Sequence, residues 1–94
     1  MGYDYMEQLG LLEDCYWLFH NCGYARSRAA FCRKYLKRSG TYMAKLNPER
    51  LPSVAVWAKI YVALMEIRKN LIPLPQKHNA QILLSRLKDI IDSL

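Results

Sequence analysis

No lysine or arginine precedes Arg26 in this chain of 94 residues. The cysteines, Cys15, Cys22 and Cys32, are odd in number and none stands in a CxxC pair, and His20 and His78 form no HxxxH pair. On a helix Cys15 and Cys22 would lie two turns apart, too far for one tetrahedral site, so Cys15, Cys22, Cys32 and His20 make a poor zinc set. They read better as buried small hydrophobes in a reduced compartment. No glycine-rich phosphate loop is present. Neither histidine has an evident orienting carboxylate, although Glu13 and Asp14 share a helix with His20, so a Cys–His nucleophile is unsupported. The longest apolar run, "VAVWAKIYVALM", contains Lys59 and falls short of the roughly 20 residues a membrane span needs. The start, "MGYDYMEQ", is acidic rather than leader-like, and Met6 stands where a myristoylation motif wants Ser or Thr. These absences predict a cytoplasmic protein that is not an enzyme and has no metal, no cofactor and no membrane contact.

What is present is an uneven charge. Residues 1–23 carry Asp4, Glu7, Glu13 and Asp14, whereas residues 24–50 carry Arg26, Arg28, Arg33, Lys34, Lys37, Arg38, Lys45 and Arg50 against Glu49 alone. The net charge of +6 is therefore concentrated in the middle third. Such an electrostatic footprint suits a polyanion, although a solvated helix face has the same composition.

The apolar spacing has the helical period, interrupted at Gly23, Gly40, Pro48, Pro52, Pro73 and Pro75. It predicts an all-α protein, a compact bundle of about five helices. A first helix from about Asp4 to Asn21 directs Leu9, Leu12, Tyr16 and Phe19 inward and ends at Gly23. A second starts at Ser27 and buries Ala30, Phe31, Tyr35 and Leu36. A short third runs from about Ser39 to Leu46, with Tyr42 or Met43 and Leu46 inward. A fourth, capped by Ser53, uses Val54, Trp57, Ile60, Tyr61, Leu64 and Ile67 and ends near Asn70. Residues 71–94 form a proline-containing linker, "LIPLP", and an amphipathic helix with Ala80, Leu84, Leu87, Ile91 and Leu94 at heptad spacing. That seam serves either the protein's own core or a second copy.

The helices over residues 1–70 have the outline of a helix-turn-helix. "AAFCRKYLKRSGTYMAKLNPERLPSVAVWAKIYVAL" resembles the lambda-repressor-like helix-turn-helix pattern, with Phe31 and Cys32 at its Leu-Ala pair, Ser39 capping the second helix and Pro52-Ser53 opening the next. Lys37 stands where that family usually has glycine in the turn. The chain from "LLEDCYWLFHNCGYARSRAAFCRKYL" through "SVAVWAKIYVAL" is also similar to a family of small proteobacterial proteins of about this length. The resemblance implies a DNA-binding transcriptional regulator. By position it turns Ser39, Gly40, Thr41, Ala44 and Lys45 toward the major groove, with Arg28, Lys34, Lys37, Arg38 and Arg50 on flanking phosphates. The reading face lacks the Arg, Asn and Gln that discriminate bases, so affinity for double-stranded DNA is better explained than specificity. A homodimer would present two such helices about 34 Å apart.

The competing reading is a protein-binding module that has lost DNA, an antiactivator of a transcriptional activator. Some small rhizobial proteins restrain quorum-sensing and conjugation activators in this way. Small outward residues at Gly40 and Ala44, the aromatic stretch "CYWLFH" and the seam Leu84, Leu87, Ile91, Leu94 favour it. Trp17 discriminates: exposed, it points to a partner; buried, it is core.

Overall fold

Three helices open where a side chain replaces a missing backbone partner. In the computed structural model, which describes residues 3–70 and 74–94, Asp4 Oδ1 accepts the Glu7 amide at 2.8 Å and starts α1, Tyr5–Asn21. Ser27 Oγ accepts the Ala30 amide at 3.1 Å ahead of α2, Arg28–Phe31. Ser53 Oγ accepts the Val56 amide at 3.4 Å ahead of α3, Val54–Arg68. Each such cap contributes about 1 kcal/mol. A fourth helix, α4, spans Leu74–Ser93. Pro75 falls in its first turn, where the missing N–H costs nothing because those amides have no intrahelical acceptor. Of the expected extended linker, residues 71–73 lie outside the described residues.

Two joints set the chain's path. Gly23, at φ +84°, ends α1 as its position predicted, and the Gly23 amide donates to the His20 carbonyl at 3.0 Å. Beyond α2 the coil continues as a π-helical turn over Cys32–Leu36, which stops at Lys37 in the left-handed conformation, φ 56° and ψ 42°.

The third helix expected over Ser39–Leu46 is not formed at that length. One 3₁₀ turn, Met43–Lys45, stands there, without a side-chain cap. The Ser39 hydroxyl is engaged with that of Thr41 at 3.3 Å instead of capping an amide. A tight turn with an isolated bridge between Asn47 and Arg50 then closes the space for further helix. The described residues thus hold four α-helices rather than five.

One core holds the elements together. Phe19 meets Phe31 edge-on at 5.2 Å and Tyr35 at 4.7 Å, and Trp57, Ile60 and Leu64 of α3 are fully buried with them. Val54, expected inward, is 50% exposed, and Val56 fills the core in its place. The seam of α4 belongs to this same core: Ala80, Leu83, Leu84, Leu87 and Ile90 are buried, with Leu87 wholly so. Leu84 and Leu87, candidates for a dimer or partner contact, are therefore occupied within the monomer. Ile91 is half-buried and Leu94 is exposed. α4 lies against both α1 and α3, and Arg86 Nη1 donates to Asp14 Oδ2 at 2.8 Å across the first of these contacts. Among the described residues no helix is long and apolar enough to cross a membrane.

Candidate functional site

The charged middle of the chain is displayed on a bent arm: α2, its π-helical extension, the Lys37 turn and the 3₁₀ turn. Phe31, Cys32 and Leu36 anchor the arm from inside, while Met43 and Leu46 anchor the segment after the bend. Polar neighbours are thereby forced outward. Arg33, Lys34, Lys37, Arg38, Ser39, Thr41, Lys45 and Arg50 are all exposed. The π-helical turn inserts an extra residue into one turn of the coil, a deformation found frequently at functional sites.

Ion pairing separates these bases into two groups. The ion pairs of the described residues are Arg28–Glu13, Lys69–Glu66 and Arg86–Asp14. Arg28, one of the phosphate candidates, is committed to the scaffold. Its guanidinium donates through Nε and Nη2 to the Glu13 carboxylate at 3.1 to 3.2 Å, and its Cζ lies 4.8 Å from the Tyr16 ring centroid and 5.3 Å from that of Trp17. By contrast, Arg33, Lys34, Lys37, Arg38, Lys45 and Arg50 have no carboxylate within ion-pairing distance among the described residues.

The structure gathers four of these six cations in two places. Arg38 and Arg50 both act on the half-buried Tyr42, with the Arg38 Cζ 6.0 Å from its ring centroid. Burial pushes the Tyr42 phenol up, against the opposing pull of the two guanidiniums, so it remains a neutral O–H at physiological pH. Lys34 and Lys37 instead flank a shallow apolar trough between the π-helical turn and α3, where Lys59 joins them. Lys45 ends the 3₁₀ turn. Gly40 lies under Arg33: a Cβ there would come within 2.7 Å of Arg33 Nη2 and 3.1 Å of the Ala29 Cβ. The five positions expected to face a DNA groove, Ser39, Gly40, Thr41, Ala44 and Lys45, thus lie on a bend and a short turn rather than along a helix.

Residues 12–94 match a family of unknown function (DUF6626). The chain belongs to that family. The DUF6626 match takes in the charged arm, α3 and α4 together, so it covers the described core almost entirely. No curated protein and no solved structure matches the chain.

Elsewhere Cys15 and Cys32 are taken into the core, and Cys22 is half-buried. Cys15 is wholly buried, and desolvation pushes its thiol up to about 12; burial likewise raises Cys22 and Cys32. His20 Nδ1 donates to the Ala25 carbonyl at 2.9 Å, which fixes its ring against Tyr16. Among the described residues no three His, Cys, Asp or Glu side chains converge as metal ligands.

Trp17 is 45% exposed, beside Leu18, Ile82 and Leu83 at the junction of α1 and α4. Sequence reasoning counted Arg33 in the basic footprint but did not place it among the phosphate contacts, and it missed Tyr42 as the ring beside Arg38. It also missed a second apolar stripe on α3, Val54, Ala58, Val62 and Met65, whose spacing of 4, 4 and 3 was legible.

Proposed function

We propose that the protein is a small DNA-binding transcriptional regulator of helix-turn-helix type, whose bent arm rests on the phosphate backbone. One observation carries this reading: Arg33, Lys34, Lys37, Arg38, Lys45 and Arg50 crowd a single segment without carboxylate partners among the described residues. Unpaired cations release condensed counterions when they meet phosphate, and this term supplies most of non-specific affinity. The left-handed residue at Lys37 supports the turn of the motif, because the resemblance puts a glycine there. The element after the turn is short and offers Ser39, Thr41 and Lys45, so backbone contacts dominate over base reading.

The test is a titration with mixed-sequence duplex at about 50 and 200 mM salt. Six phosphate contacts predict an affinity loss of about a thousandfold over that range. No binding at the lower salt overturns the reading.

A protein-binding role as an antiactivator is the second reading, favoured by the exposed Trp17 against Ile82. On that reading Trp17→Ala abolishes capture of a transcriptional activator while leaving the far-ultraviolet spectrum unchanged.

A further inference from the structure

The outer face of α3 carries apolar residues that the fold does not use. Val54 is 50% exposed, Val62 60% and Met65 42%, and Ala58 between them is exposed as well. At about 100° per residue these positions fall within a quarter of the helix circumference, away from the buried stripe of Val56, Trp57, Ile60, Leu64 and Ile67. A helix that is apolar on two faces has one to spare.

The flank of this stripe is concave. Ala58, Val62 and Ala63 form the α3 wall of the trough, and Tyr35 closes it from the π-helical turn. Two alanines beside Val62 leave room for a partner's backbone to come close. The trough is lined by Lys34, Lys37 and Lys59 and by no carboxylate. The Lys34 Nζ lies 5.3 Å from the Tyr35 ring centroid, so a cation is held over the apolar floor.

We propose that this trough docks an amphipathic helix from an acidic partner protein, its apolar edge on Ala58, Val62 and Ala63 and its carboxylates on Lys34, Lys37 and Lys59. Charge decides the occupant. A second copy laid symmetrically on the trough would set three lysines against three lysines, and like charges in juxtaposition oppose pairing. A shallow open trough does not enclose a small ligand as pockets for such ligands do. Its concavity suits a rod of helical diameter better than a flat lipid surface. An amphipathic helix that lays its apolar face in such a groove presents anchors at i, i+3, i+4 and i+7.

The site shares Lys34 and Lys37 with the proposed phosphate contacts but stands without the DNA reading, because its apolar wall of Ala58, Val62 and Ala63 and its third cation, Lys59, lie outside those contacts. The test uses the whole ¹⁵N-labelled protein and a synthetic amphipathic peptide with leucine at i, i+3, i+4 and i+7 and glutamate elsewhere. The expected result is a set of amide shifts confined to residues 34–37 and 58–63. Val62→Asp should weaken the peptide at least tenfold while leaving the far-ultraviolet spectrum unchanged. Lys59→Glu should weaken the glutamate peptide and strengthen a control in which lysine replaces glutamate. Equal binding of both peptides to the wild type, or shifts elsewhere, overturns the proposal. It is equally overturned by binding to anionic phosphatidylglycerol vesicles but not to the peptide. A dimer that Val62→Asp converts to monomer in sedimentation would also overturn it, making the face a self-contact.

Discussion

The Arg38 amide donates to the Cys32 carbonyl at 3.0 Å, and this bond spans Lys37 in the left-handed region. It closes the arm in the manner of a helix C-terminus, where an amide beyond the end satisfies a carbonyl of the last turn. Glycine is the usual residue there because a Cβ crowds the following carbonyl by about 1 to 2 kcal/mol. Lys37→Gly should therefore stabilise the fold by about 0.5 to 1 kcal/mol, the relief of strain being partly offset by a freer unfolded chain. Lys37→Val should destabilise it by more than 1 kcal/mol, roughly. Urea denaturation of both variants checks the sign.

The cations of the arm differ in what they hold, so their alanine variants should separate two properties. Arg28 grips Glu13 and covers Tyr16 and Trp17, and its pair with Glu13 is substantially exposed. Its loss should cost roughly 0.5 to 1 kcal/mol of stability and leave the salt dependence of duplex binding unchanged. Arg38→Ala and Arg50→Ala act on groups without carboxylate partners. Each should reduce the slope of log affinity against log salt by about 0.9, the value for one phosphate contact. A slope unchanged in both removes these residues from the interface.

Helix positions were legible because caps and breaks are local. Asp4, Ser27 and Ser53 each sit one residue before a helix, and Gly23 takes the positive φ that its place after α1 requires. What the period could not show is which of two apolar faces a helix buries. Val54 fits the inward stripe of α3 by spacing, yet the core selects Val56, because α4 and the arm approach from that side. The seam of α4 likewise reads the same for self-packing and pairing; only the tertiary fold places Leu84 and Leu87 inside. The short 3₁₀ turn goes with two local bonds that apolar spacing does not register, the tight Asn47–Arg50 bridge and a Ser39 hydroxyl spent on Thr41. Of the expected site, the exposure of the cations was legible, while the diversion of Arg28 to Glu13 required a contact between residues 15 apart in sequence.

Alkaline pH should unfold the protein through its thiols. Cys15 ionises at 9.0 in its ordinary state and is pushed up to about 12 by burial, and Cys22, Cys32 and Tyr42 are raised as well. A group whose folded pKa is raised contributes stability fully below its unfolded value and loses it as pH climbs through the folded one. Stability should thus be insensitive to these groups up to about pH 9 and fall between 9 and 12, with Cys15 accounting for a loss of order 4 kcal/mol. Cys15→Ala should flatten most of that fall in urea titrations at successive pH values. At neutral pH a thiol reagent should reach the half-buried Cys22 first, with Cys15 and Cys32 reacting only on unfolding.

Leu87 provides the sharpest test of where α4 belongs. Its side chain is fully buried in the core shared by α1, α3 and α4. A carboxylate there would have no partner supplied by the seam and would have to be desolvated or expelled. Leu87→Asp should consequently abolish cooperative unfolding and give a spectrum of a disordered or molten chain, whereas a dimer-seam residue would yield a folded monomer. Leu87→Ala, which leaves a cavity, should remain folded and lose about 2 to 5 kcal/mol. Leu94→Asp makes the control, since that residue is 57% exposed and its charge stays in water. A folded, monomeric Leu87→Asp protein with native stability would detach α4 from the core and return its seam to intermolecular contact.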